Sequence, residues 1–262
     1  MSAVTAANDQ PPCRHVLGMR VDATTYDDAT RRILAWAAAG AGGHVCAANV
    51  HMVMESRRRP DLAAAVAGAR LVTPDGMPLV HMLRRLGVAG QPRVYGPDLT
   101  LAVLAAAAAQ DIPIALYGGR PETLEILQRV YPERFPGLRI VYAESPPFRP
   151  ATPAEDATTV AAIAASGARI LLVGLGCPKQ ELWAAAHSPR LPCVILAVGA
   201  AFDFHAGTVR QAPPWMQRLA LEWLYRLWRE PRRLFWRYAW HNPRFAVLAA
   251  WQLLRHRRTD GS

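Results

Sequence analysis

Arg169-Ile-Leu-Leu-Val-Gly174 and Cys193-Val-Ile-Leu-Ala-Val-Gly199 decide how this chain folds. Each holds a short, uninterrupted run of apolar side chains, Ile170–Val173 and Cys193–Val198, that stops at a glycine. A strand with one wet face alternates apolar and polar residues. A run that is apolar at every position is covered on both faces, as the strands of a parallel sheet are.

The same punctuation recurs in both directions along the chain. His44-Val-Cys-Ala-Ala-Asn49 reads as a strand emptying into a loop, with a helix following through Arg59. Ala69-Arg-Leu-Val-Thr73 is another strand, and Pro74-Asp75-Gly76 a turn before the next helix. An alanine-rich helix over about Leu99 to Gln110 precedes a strand at Ile112–Tyr117 and a Gly118-Gly119 turn. Pro121-Glu122 then opens a helix with proline and acid in its favoured first turn. Arg139 to Ala143 forms a strand, Glu144 to Pro153 a proline-rich loop, and Ala154 to Ala165 a helix. Near the start, Arg14 to Val21 reads as a short strand leading into a helix from about Thr25, whose positive end Asp27 and Asp28 favour. Strand, loop and helix in repetition predict an α/β fold, a Rossmann-like, doubly wound, mostly parallel sheet. Residues 1–14 are expected to be disordered, 15–211 to form the α/β domain and 212–258 a helical appendage.

That appendage carries the charge. Between Trp215 and Arg258 lie ten arginines, six tryptophans and four Tyr/Phe residues against only Glu222 and Glu230; the local excess of +8 is most of the chain's +10. Indole rings settle at a lipid headgroup boundary and guanidinium groups pair with phosphate, so the mixture suits a surface that offers both. The four cysteines, Cys13, Cys46, Cys177 and Cys193, show no ligand-like spacing, and a reducing cytosol is the simplest compartment. The N-terminus lacks the basic start and apolar core of a signal peptide, and no apolar run is long enough to span a bilayer.

In a parallel sheet, ligands gather beyond the carboxyl ends of the strands, where helix-start amides face outward. Five loops place distinctive residues there: Asn49–His51, Thr73–Gly76, Gly118–Arg120, Gly174–Glu181 and Gly199–Gly207. None matches a dinucleotide fingerprint or a P-loop, which argues against a nicotinamide enzyme, a P-loop ATPase and a sugar-nucleotide epimerase. Asp75 is the best candidate for a general base, since it follows a buried strand and has no adjacent cation; an Asx turn or helix cap is the plainer alternative. Asn49 divides similarly between a cap and a group that positions hydroxyls. In Gly174-Leu-Gly-Cys-Pro-Lys-Gln-Glu181, the glycines Gly174 and Gly176, like Gly118, would let a ligand approach the backbone. Lys179 would offset phosphate charge, Gln180 would meet a base or sugar, and Glu181 would orient hydroxyls; a solvated helix start is the alternative. Asp203 sits between Phe202 and Phe204, a setting unlike that of an idle surface charge; a cap or brace for the loop is the plainer alternative. A metal site finds little support: Asp75, Asp98 and Asp203 are scattered, HExxH is absent, and the eight histidines offer no i,i+4 pair on one face. Arginine is the preferred neutraliser of a diphosphate, and no cofactor is expected. A nucleic-acid-binding module using the Arg/Trp strip is the rival from another class, but it leaves the loops unexplained.

Taken in order, Thr73-Pro-Asp-Gly76, Arg93-Val-Tyr-Gly-Pro-Asp98, Val173 to Glu181, Gly199-Ala-Ala-Phe-Asp-Phe-His-Ala-Gly207, Ala212-Pro-Pro-Trp215 and Leu221-Glu-Trp-Leu-Tyr-Arg226 resemble the WecG/TagA/CpsF family of bacterial glycosyltransferases, glycosyltransferase family 26. The likeness runs over roughly residues 15 to 245. It implies an inverting, metal-independent transfer from a UDP-sugar (UDP-N-acetylmannosamine, its uronic acid, or UDP-glucose) to a saccharide on undecaprenyl diphosphate. Such a transfer takes place at the cytoplasmic face of the bacterial inner membrane, for cell-surface polysaccharide. The family's proposed base falls on Asp75 and its site asparagine on Asn49; a threonine common two residues earlier is Ala47 here. Its Pro-Lys-Gln-Glu motif falls on Pro178 to Glu181, beside the donor. The resemblance also implies that the appendage sets arginines over the diphosphate while reaching a membrane, which draws in Glu222, Arg226, Arg233 and Arg237, with Arg210 as a further candidate. The partners so implied are the donor, the lipid-linked acceptor and an anionic membrane surface, with no nucleic acid; a homo-oligomer is compatible with all of this.

Overall fold

The computed structural model describes residues 10–259, leaving out the side chain of Arg233 and those of residues 257–259. At its centre is a six-stranded sheet made of β3 (Gly43–Ala48), β4 (Leu71–Pro74), β5 (Ile114–Gly118), β6 (Ile140–Glu144), β7 (Ile170–Gly174) and β8 (Val194–Ala197). Every pairing in it is parallel, and the strand order is β4-β3-β8-β7-β5-β6. The two runs that announced the fold, β7 and β8, are its central neighbours.

Period-two alternation divides those strands between two cores. Ile114, Leu116, Ile170, Leu172, Val194 and Leu196 face one side. There they meet α1 (Tyr26–Ala38), α5 (Gly96–Ala109), α6 (Pro121–Arg134) and the short α9 (Ala201–His205). Ala115, Tyr117, Leu171, Val173 and Ile195 face the other, against α7 (Pro153–Ala165) and α8 (Lys179–His187). Further along that second side, Cys46, Ala48 and Val72 meet α2 (Val50–Ser56), α3 (Pro60–Ala67) and α4 (Met77–Arg85). Fully buried Ile, Leu and Val side chains stabilise such cores by about 1.5–3 kcal/mol each. The sheet is therefore parallel and covered by helices on both faces.

Local chemistry fixes the element ends. Thr25 caps α1 by accepting from Asp28 N, and Thr152 with Glu155 closes a reciprocal capping box at α7. The helix expected after Asn49 and through Arg59 stops early, α2 ending at Ser56, and a second helix that was not expected, α3, begins at Pro60. Proline disfavours helical geometry in the residue before it, and Arg59 is extended with φ −124° and ψ 101°.

The strand expected over 14–21 is an antiparallel hairpin, β1 (Cys13–Val16) and β2 (Met19–Asp22), so Cys13 and Arg14 belong to a strand and not to a disordered terminus. Residues 1–9 lie outside the described residues. Leu17 and Gly18 at the tip have φ of 51° and 93°, the backbone of a two-residue turn in which both residues are left-handed. Leucine is an unusual occupant of such a turn, and the hairpin was hidden from the sequence for that reason. Asp22, 2% exposed, ties the hairpin to the sheet by accepting from Val72 N at 2.7 Å.

The C-terminal segment forms α10 (Pro214–Arg218), α11 (Glu222–Arg229) and α12 (Pro231–Thr259). Its far end is part of the main body. Phe245 and Ala249 enter the core beneath α2 and α4, while Gln252 accepts from Leu17 N at 2.9 Å and donates to His15 O at 2.6 Å. Its near end is different. Trp228 is 73% exposed and Trp236 77%, with Leu224, Phe235 and Trp240 open beside them.

Candidate active site

A cleft of about 1610 Å³ opens where the carboxyl ends of β3, β4, β5, β7 and β8 meet α11 and α12. It exceeds the 300–1,000 Å³ typical of a site for one small ligand, which leaves room for two substrates. The sheet supplies its floor and the appendage its roof.

Asp75 lies in the floor, directly after β4. Its backbone N–H donates to Ala48 O at 3.0 Å, so the neighbouring strand holds the turn. Its Oδ1 accepts from Gly96 N, the first residue of α5, at 2.9 Å, and sits 4.0 Å from Arg93 Nη2. The side chain is 15% exposed. Burial pushes its pKa up to about 6; Arg93 opposes that shift, Glu222 adds to it, and the Gly96 amide and Arg226 oppose it. A carboxylate held at that value is largely ionised at neutral pH yet far more basic than a surface aspartate, which suits proton removal.

Arg93 is the residue sequence reasoning missed. Nothing local in the Arg93–Asp98 stretch gives it a role, yet it connects three parts of the site. Its Nε donates to Asp75 O, its Nη2 pairs with Glu222 Oε2 at 2.8 Å, and its guanidinium lies 3.9 Å from the centre of the Tyr95 ring. Tyr95 OH donates to the other oxygen of Glu222 at 3.1 Å. Glu222 thus latches α11 of the appendage to the loop that carries Asp75. The available signal was an arginine and a tyrosine two residues apart, just ahead of a helix start; the partner is 129 positions away and gave none.

Arg226 and Arg237 line the cleft from the appendage, and the Nε of each is buried without a hydrogen-bond partner. An unpaired buried donor costs about 1–3 kcal/mol, more when charged, so these two positions are suited to an anion arriving in the cleft. Arg210 is exposed and stands apart from the lining; the side chain of Arg233 lies outside the described residues.

Asn49 lines the cleft, and its Oδ1 accepts from Met52 N at 3.2 Å, so it caps α2 as the plainer reading expected. Gly174, Gly176 and Lys179 also line the cleft. Gly176, at φ 77°, has open space where a Cβ would point. For Gly174 and Gly118 the reason is packing: a Cβ on Gly174 would lie 2.6 Å from Phe202 Cδ2, and one on Gly118 would lie 2.8 Å from the Gly174 carbonyl. These two let β5, β7 and Phe202 close up. Gln180 accepts from Gly176 N at 3.0 Å and donates to Glu181 Oε1 at 2.8 Å, which braces the loop. Glu181 is fully buried, and burial raises its pKa. Asp203 borders the cleft, and its carbonyl accepts from Val209 N at 3.2 Å and Thr208 Oγ1 at 3.1 Å. Ala47, where a threonine was the family expectation, packs against Gly96: a Cβ there would come within 3.2 Å of the alanine methyl.

The structure thus gathers Asp75, Asn49, Glu222, Arg226, Arg237 and the Gly174–Lys179 loop around one volume. A family model described as the glycosyl transferase WecG/TagA/CpsF family matches residues 14–259, spanning both the sheet and the appendage. The chain belongs to the WecG/TagA/CpsF glycosyl transferase family.

Proposed function

We propose that this protein transfers a hexose or N-acetylhexosamine from a UDP-sugar to a saccharide carried on undecaprenyl diphosphate, with inversion at the anomeric carbon. Asp75 takes the proton from the acceptor hydroxyl as its oxygen bonds to that carbon. The bond from the carbon to the diphosphate oxygen breaks on the opposite side, and UDP leaves with the electron pair. Arg226 and Arg237 stabilise the charge that grows on it, help that is greatest in the transition state. The observation that carries this reading is the pairing, across one cleft, of a carboxylate raised to about 6 with two guanidinium groups whose buried Nε atoms lack partners. Asp75→Asn is expected to lower turnover by 100-fold or more, the usual range for a lost base, while UDP binding stays within about threefold. Turnover near that of the parent would remove Asp75 from the role.

Recruitment to an anionic membrane is the second part of the proposal. No helix among the described residues is long and apolar enough to cross a bilayer. The exposed face of α11 and α12 instead sets Trp228, Trp236 and Trp240 among arginines, with the Arg244 guanidinium stacked on the Trp240 ring. Each arginine near an anionic surface contributes roughly 1 kcal/mol, screened by salt. Replacing both Trp228 and Trp236 with serine is expected to weaken sedimentation with phosphatidylglycerol vesicles about tenfold. Equal binding by parent and variant would defeat the assignment.

A further inference from the structure

His51 and His241 line the cleft, and with Glu55 they form a cluster that has no part in the chemistry above. His51 and Glu55 are four residues apart and so share one face of α2; His241 reaches them from α12. One ligand atom from each lies within 4.8 Å of the other two, and His241 Nε2 is 3.3 Å from Glu55 Oε1. The imidazole rings are 5.2 Å apart at 59°. His51 Nδ1 and His241 Nδ1 are both buried without a hydrogen-bond partner. Buried polar atoms are nearly always paired, so two orphan imidazole nitrogens in one cluster point to an absent bonding partner.

We propose that His51, Glu55 and His241 form a zinc-class metal site that clasps the appendage to the body of the protein. Two histidines and one carboxylate are a ligand set that zinc accepts, and bonds of 2.0–2.2 Å require the three side chains to draw together slightly. The position left open is one that water or a substrate oxygen fills.

The donor set selects the metal. Arg237 acts on His51, and Arg58, Arg237 and Arg244 act on His241, whose attraction to Glu55 runs the other way; burial with those arginines lowers both imidazole pKa values, that of His51 to about 4. The same arginines repel every dication alike, so the preference comes from the ligands: two imidazole nitrogens suit zinc, whereas Mg²⁺ and Ca²⁺ take oxygen ligands. Because the ligands come from α2 and α12, the ion would fix the roof of the cleft to its floor independently of the Glu222–Arg93 latch.

The test uses the full chain stripped with a chelator and dialysed against Zn²⁺, with metal content and thermal midpoint as readouts. The parent is expected to retain one Zn²⁺ more than the His51→Gln/His241→Gln variant. At about 100-fold excess over Kd its midpoint should rise by roughly 5–10 °C, and that of the variant should not. The Co²⁺ form of the parent should show a visible ligand-field band that the variant lacks. Equal Zn²⁺ retention by parent and variant overturns the site, and retention with no rise in midpoint overturns the clasp. A melting curve of the metal-free variant matching that of the metal-free parent excludes a folding defect as the cause. Since no readout is turnover, failure here leaves the assignment of Asp75 standing, and failure of that assignment leaves this one.

Discussion

Holding Asp75 above its ordinary range has a thermodynamic consequence that needs no substrate. The carboxyl rises from an unperturbed 3.8 to about 6 in the folded chain, so burial favours its neutral form. A group whose folded pKa is raised binds its proton more tightly in the folded than in the unfolded state. Folding is then penalised wherever the group must ionise. Above about pH 6 the penalty is complete; below about pH 4 both states are protonated and it vanishes. Each pK unit corresponds to 1.36 kcal/mol, so a rise of about two units is about 3 kcal/mol, and the residual 15% exposure brings the expectation to about 2–3 kcal/mol. Asp75→Asn removes the charge and retains an oxygen to accept from Gly96 N. We expect it to stabilise the protein by about 2–3 kcal/mol at pH 8, with the gain falling to near zero by pH 4. Urea denaturation of parent and variant at pH 8, 6 and 4 measures this, and an active-site group that costs stability is a common trade. Destabilisation at pH 8, or a gain that does not change with pH, would refute the placement of this carboxylate in a dehydrated floor.

The charges around Asp75 should move its titration in opposite directions. Arg93→Gln removes a cation 4.0 Å away, raising the acid-limb midpoint of turnover by about 1–3 pH units. Glu222→Gln, which keeps acceptors for Tyr95 and Arg93, should lower it by about one unit or less; shifts of the same sign would contradict the geometry. Gly174→Ala would press a methyl into Phe202, which is 1% exposed, and should cost about 1–3 kcal/mol in urea denaturation. No change there would mean the strand has slack that the contact at 2.6 Å denies.

The sheet was readable because burial on both faces leaves a continuous apolar signature, and β7 and β8 carry the plainest examples. The Thr25 and Pro121 helix starts were readable for a similar reason, since their chemistry is local. Leu17-Gly18 misled because the turn is set by backbone geometry that glycine supports and leucine only tolerates. Asp75 stood out through its neighbours in sequence. Arg93 and Tyr95 did not, since their meaning lies in contacts to Glu222 across more than a hundred positions, and Glu222 itself was marked only by the resemblance. No two histidines lie four apart in the sequence; the structure instead pairs His51 with Glu55 on α2 and brings His241 from α12. The glycines of β5 and β7 read as room for a ligand, and two of them make room for Phe202 and for each other.

Co-crystallisation with UDP tests the central claim most directly. The account predicts the diphosphate within hydrogen-bonding distance of Arg226 or Arg237, and the position of the anomeric carbon adjoining the Asp75 carboxylate. Nucleotide bound elsewhere, with Arg226 and Arg237 turned away from it, would contradict the account.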